Sequence, residues 1–326
     1  MTATTAENHP ATGLTPERNT SAVSRRAFDF LTADPDKRAA YRLDPYAREG
    51  LELFRAPVDR AWLYSTTFVV LKPDAIAGRR GHLVLDILEE EGWKPFAARP
   101  FVFDPLLTRE LWRYQFNAAS RQRIAVVDHL LGSGSSLLVL LRDTRRADGL
   151  PASVRLTAAK GAADPSAAHA RDLRTRFGRV NGLFNFVHTA DEPADLVREL
   201  RLFCYRTGTA WLRAALTAVP PSGDGECPAR TLLAGIEAET PRHDLDSGRS
   251  LARLAARPDV WGGLARECGT RESVRMWLST LEEGELPPGT ARWDVLSVLT
   301  DWIECNEPGV SPLLATVSAN DWRNHE

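Results

Sequence analysis

Cysteine is scarce in this chain, and the few residues present stand far apart. The four cysteines, Cys204, Cys227, Cys268 and Cys305, form no C-x-x-C pair, which argues against both a disulfide framework and a thiolate zinc site. Neither sign of charge is in excess. A formal net charge of −2 and a pI near 6.4 give no global attraction to nucleic acid or to a membrane surface. No apolar run approaches bilayer length and the N-terminus lacks a signal-peptide core, so the expectation is a soluble, cytoplasmic protein with no nucleic-acid and no membrane partner. Lysine is nearly missing as well, occurring only at positions 37, 72, 94 and 160. No internal repeat is visible. What is present is 326 residues, 43% hydrophobic and 26% charged, enough for two domains with cores of their own.

The most informative stretch runs from Gly178 to Cys204. Gly182 to Val187 reads as a short apolar strand, and Thr189, Asp191, Glu192 and Pro193 read as the start of a helix, with Thr189 and Glu192 at capping-box spacing and Pro193 suited to a first turn. His188 is thereby expected at a strand-to-helix junction. Leu196, Val197, Leu200 and Phe203 recur at helical spacing and would anchor the helix to a core. A helix folded back on its own strand would bring Glu199 to the imidazole. The plain alternative is a histidine that ends a strand and a glutamate that is merely solvated.

Far upstream, Phe68 to Leu71 is a β-rich run that stops at Lys72-Pro73-Asp74, and Leu83, Val84, Ile87 and Leu88 mark an amphipathic helix closed by Gly92. Strand, KPD and helix, followed by Asn185-Phe186-Val187-His188, the acidic Asp191 and a glutamate eleven residues after the histidine, together resemble the nucleoside diphosphate kinase family. The intervening chain reads as a strand over Pro95–Phe103, helices over Leu106–Phe116 and Ser120–Leu131, a buried strand over Leu137–Leu141 and a helix within Arg145–Ala159. This βαββαβ order implies an α+β fold: a ferredoxin-like, four-stranded antiparallel sheet with helices on one face. Around that core, residues 1–24 read as a disordered tail and 25–63 as a helical extension interrupted at Pro35 and Pro45. The kinase-like domain would span 64–205. An all-α region would fill 206–326, with loops at Pro220–Gly225 and Pro287–Gly289 and tryptophans placed for packing.

The resemblance implies a chemistry. The γ-phosphate of a nucleoside triphosphate would pass to His188, with Glu199 fixing the imidazole, and then to a nucleoside diphosphate or related acceptor. A histidine suits this because a fair share is unprotonated at neutral pH. By the same resemblance Lys72 and Asn185 contact phosphate and sugar, Tyr114 sits near the histidine, and Arg155 and Arg174 meet the phosphates. Arg155, Arg174 and Arg176 read equally well as solvated surface charges. Mg²⁺ is implied with ATP or another nucleoside triphosphate, riding on the phosphates, and no carboxylate cage for it is visible; a homo-oligomer is implied too. The chain departs from the family pattern at several places. Ala190 stands where the family has a serine, Lys160 stands in place of a phosphate-binding threonine, and Ile124 or a neighbour replaces the aromatic on which the base stacks. A catalytically degenerate nucleotide-binding or scaffold module, with the C-terminal helices as its working part, is the second reading.

Overall fold

The computed structural model describes residues 28–54, 60–145, 149–217 and 227–325. The expected tail over 1–24, parts of the extension and the Pro220–Gly225 loop lie outside the described residues. The chain begins with helices α1 (Pro35–Tyr41), α2 (Pro45–Leu53) and α3 (Arg60–Ser65), then β1 (Thr66–Leu71), α4 (Pro73–Ala77) and α5 (Gly81–Glu90). Next come β2 (Trp93–Val102), α6 (Pro105–Leu111), α7 (Arg121–Leu131), β3 (Ser135–Asp143), α8 (Ala152–Lys160), α9 (Leu173–Arg176), β4 (Val187–His188) and α10 (Pro193–Phe203). The rest is helical: α11 (Ala210–Thr217), α12 (Ala229–Glu239), α13 (Ser247–Ala255), α14 (Val260–Glu267), α15 (Val274–Glu283), α16 (Thr290–Trp302) and α17 (Ala319–His325).

Pro35 and Pro45 begin helices rather than interrupt them. Each occupies a first helical turn, where its missing N–H costs nothing, and Asp34 and Asp44 cap the two helices by accepting from the N–H groups of Asp36 and Ala47.

The sheet is antiparallel throughout, in the order β2-β3-β1-β4. Both central strands are apolar on both faces, so neither shows the alternation of a half-exposed strand. Phe68 and Val70 of β1 and Leu138 and Leu140 of β3 enter one hydrophobic cluster, whereas Val69, Leu71, Leu137, Val139 and Leu141 enter another. β2 lies at an edge, where Pro95 and Pro100 are tolerated and where the register slips between Pro95 and Ala97. The expectation of helices on one face is therefore corrected. One cluster packs β1 and β3 against α1, α2 and α10, and the other packs their opposite face against α5 and the C-terminal helices α12 to α16. Trp261, Trp277 and Trp293 are buried in this second layer. Close approach of α2 to α10 depends on Gly50, because a Cβ there would lie 2.5 Å from the Val197 carbonyl oxygen. Among the described residues no helix is long and apolar enough to cross a membrane.

The fourth strand is much shorter than the sequence suggests, with Val187 and His188 pairing to Leu71 and Val70. The residues before it find other partners for their N–H groups. The Asn181 side chain accepts from Leu183 and Phe184, and Asp74 accepts from Phe186. Phe186 itself takes φ 71°, which no regular strand permits.

Candidate active site

His188 is the last residue of β4, and Pro193 opens α10 only five positions later. The helix start is capped by Glu192 and Asp195, whose side chains bond reciprocally to backbone, rather than by Thr189 and Glu192. That cap turns α10 back along β1, so its second turn carries Glu199 to the imidazole. His188 Nε2 lies 2.7 Å from Glu199 Oε2. A neutral imidazole that donates its Nε2–H to this carboxylate keeps the lone pair on Nδ1, which has no hydrogen bond among the described residues. Burial pushes the Glu199 carboxyl up, and His188 pulls it back only in part. The ring is held by aromatic walls, Trp112 edge-on with centroids 5.1 Å apart and Phe68 at 5.9 Å.

Cations gather beside it. Lys160, the last residue of α8, donates to the Thr189 hydroxyl at 2.7 Å and to Asp191 Oδ1 at 3.2 Å. Thr157, one turn earlier on the same helix, bonds the Ala190 carbonyl and Asp191 Oδ1, each at 3.1 Å. Burial alone would raise the Asp191 carboxyl, but Lys160 and Lys37 outweigh it and hold it well below the usual carboxylate range. Arg174 is 8% exposed, donates to the Gly161 carbonyl at 2.7 Å and keeps a buried Nε without a partner among the described residues. Burial pushes its guanidinium down to about 10, which leaves it charged at neutral pH. Lys72 donates to the Leu183 carbonyl at 2.8 Å and sits 3.6 Å from Asp74. Burial lowers both lysines, and Arg174 adds to each shift, so the three cations share one neighbourhood. Asn185, on the adjoining loop, donates to the Gly182 carbonyl at 2.7 Å.

Three of the sequence-derived candidates lie elsewhere. Arg155 forms a two-pronged pair with Asp143 at 2.6 and 2.5 Å and stacks over Trp93 at 4.0 Å. Two residues from Thr157 on a helix, it projects from a different face of α8. The Tyr114 hydroxyl donates to Asp44 at 3.1 Å and its ring pairs with Tyr41; the aromatic beside the histidine is Trp112. Ile124 lines a surface pocket of about 420 Å³ with Arg109, Arg121, Asp128 and Leu281, between α7 and α15. Ala190 is fully buried in the apolar cluster, and the hydroxyls of Thr157 and Thr189 lie next to it.

The site thus brings together a histidine bonded to a carboxylate and a group of buried cations, on a four-stranded antiparallel sheet. The family model for nucleoside diphosphate kinase matches residues 65–207. These residues form a divergent nucleoside diphosphate kinase-like domain. Among solved structures, the nucleoside diphosphate kinase of Aquifex aeolicus is similar at 21% identity, covering 43% of this chain and 94% of its own, with a TM-score of 0.36. That of Encephalitozoon cuniculi matches at 21% identity, 43% of this chain and 88% of its own, TM-score 0.36. A nucleoside diphosphate kinase family protein from Babesia bovis matches at 20% identity, 44% and 89%, TM-score 0.35. No curated protein matches the chain. The assignment rests on the family model and the strand order.

Proposed function

We propose that this chain is a nucleoside diphosphate kinase-like phosphotransferase that works through a phosphohistidine. The observation that carries this reading is the 2.7 Å contact between His188 Nε2 and Glu199, which leaves Nδ1 as the nucleophile. In the first step the Nδ1 lone pair attacks the γ-phosphorus of a nucleoside triphosphate in line, the bond from that phosphorus to the β,γ-bridging oxygen breaks, and nucleoside diphosphate leaves. The Nε2 proton stays in the bond to Glu199, which supports the positive charge the ring acquires. In the second step a terminal phosphate oxygen of a nucleoside diphosphate or related acceptor takes the phosphoryl group from Nδ1 and the ring returns to its neutral form.

Such a transfer asks the protein chiefly for positive charge and positioning. Lys160, Arg174 and Lys72 are the cations placed to supply it, and Asn185 is the polar group at the loop. Among the described residues no group of three or more His, Cys, Asp or Glu is placed to hold a metal ion, and Asp191, the nearby carboxylate, is taken up by Thr157, Lys160 and Thr316. In this reading Mg²⁺ enters with the nucleotide phosphates as part of the substrate. The family resemblance adds nucleoside tri- and diphosphates as partners and self-association. The domain spanning 64–205 would carry the chemistry, with 25–63 and 206–326 supporting it.

The test is phosphate exchange between a labelled nucleoside triphosphate and an unlike diphosphate. Wild type should exchange and His188→Ala should not, with its melting temperature retained. Full exchange by His188→Ala would overturn the reading.

A further inference from the structure

Between Trp302, the end of α16, and Ala319, the start of α17, the chain forms no helix or strand and yet is tied down along most of its length. Its first part lies against residues 114–123, the lip between α6 and α7. Ser120 donates its N–H to the Cys305 carbonyl at 3.2 Å and its hydroxyl to that of Glu304. Glu307 N–H donates to the Ala118 carbonyl at 2.9 Å, and Asn306 accepts from Arg123 at 3.0 Å. Asn117 brackets Ser311 and Leu313, and Leu313 N–H also donates to the Tyr114 carbonyl at 2.9 Å. The chain then crosses over. The Thr316 hydroxyl donates to Asp191 Oδ2 at 2.8 Å, and Trp322 Nε1 donates to Glu192 at 2.8 Å.

Residues 313–316 thus bridge Tyr114 to Asp191. Tyr114 is two residues from Trp112, whose ring touches the imidazole, and Asp191 is three residues beyond His188. The segment is thereby tied at one end to the turn that follows Trp112 and at the other to Asp191, three residues from His188. The His188 side chain is 13% exposed, against 44% for that of His82. The tie is slight by comparison with the walls it joins. Residues 306–313 are exposed, and over 304–318 the buried side chains are Leu314 and Val317. Segments with few buried apolar contacts are the ones that open locally while the rest of a fold stays closed.

We infer that residues 303–318 are an autoinhibitory strap: closed as here, they shield His188, and they lift from Asp191 and the 114–123 lip to admit a phosphoryl donor. The placement of the segment stands on its bonds to Tyr114 and Asp191, while its effect on turnover rests on the phosphotransfer reading. Asp191 is the natural latch, since it holds Thr316 with one oxygen and Lys160 with the other.

Two readouts keep these apart. The full chain, Thr316→Val and Leu314→Ser are treated with diethyl pyrocarbonate, and acylation of His188 is followed by peptide mass with His82 as the internal control. The same proteins are then incubated with Mg²⁺ and γ-labelled ATP. Thr316→Val removes one hydrogen bond at an exposed residue, so it tests the strap even if Leu314→Ser folds poorly. The expected result is roughly tenfold faster acylation of His188 and a comparable rise in labelling, the factor by which the open fraction grows, with His82 unchanged. Unchanged acylation of His188 in Thr316→Val and in folded Leu314→Ser would overturn the strap. Faster acylation without any label would uphold the strap and contradict phosphotransfer.

Discussion

Replacing Glu199 by glutamine keeps the shape of the side chain and removes its charge, which isolates the role given to this residue. Glu199 is 7% exposed and lies 2.7 Å from His188 Nε2. In Glu199→Gln the amide either accepts from Nε2–H, without a charge to support the ring as it becomes cationic, or donates to Nε2 and forces the proton onto Nδ1, where it blocks attack. A hydrogen bond to a charged group contributes about 1.5–3 kcal/mol. At about 1.4 kcal/mol per decade this slows phosphorylation of His188 roughly 10- to 150-fold. The stability consequence runs the other way. Burial already pushes the Glu199 carboxyl up, so a neutral isostere relieves a desolvation cost and the melting temperature should hold or rise. The assay is rapid-quench labelling with saturating γ-labelled ATP, in a single turnover, with thermal unfolding alongside. A Glu199→Gln protein that labels at the wild-type rate would refute the orienting role.

Other expectations follow from the same geometry. Arg155→Ala should leave labelling unchanged but destabilise the fold by about 3 kcal/mol or more in denaturant titration, since it strands the buried Asp143 carboxylate; a labelling defect at full stability would restore Arg155 to the site. Lys37→Met removes the cation 2.8 Å from both Glu192 and Asp195 and should cost about 3–5 kcal/mol by the same measurement. Burial lowers the Lys160 pKa, so its charge is present below that folded value and is lost as pH rises through it. Labelling should accordingly fall on an alkaline limb below the range of a free lysine, and Lys160→Arg should remove that limb. Because the unfolded chain binds this proton more tightly, the Lys160 contribution makes stability rise with pH between the folded and unfolded values.

The core was legible because its signals are local. β1 and β3 are apolar runs, α5 and α10 have clean helical spacing, and the KPD and N-x-x-H groups mark the two segments that meet at the site. Lys72 and Asp74 in fact hold the loop before His188 in place through Leu183 and Phe186. Sequence and structure part where side chains replace backbone partners. Asn181 and Asp74 take the N–H groups that an extended fourth strand would have used. Arg155 pairs with Asp143 at the end of another strand, a pairing that spacing cannot reveal. The resemblance points to Tyr114, whereas Trp112 is the aromatic at the imidazole, and a helix end followed by an irregular turn gives no phase by which to separate the two. The Thr157, Thr189 and Asp191 cluster and the strap depend on contacts between distant segments, Thr316 to Asp191 above all, so periodicity carries no trace of them.

The most direct test of the central claim is to incubate the purified protein with Mg²⁺ and γ-labelled ATP beside His188→Ala and to locate any acid-labile phosphate by peptide mapping. Label on His188 of the wild type, absent from the variant and discharged by nucleoside diphosphate, is the predicted result. No label on the wild type and none on Thr316→Val would contradict the phosphohistidine mechanism.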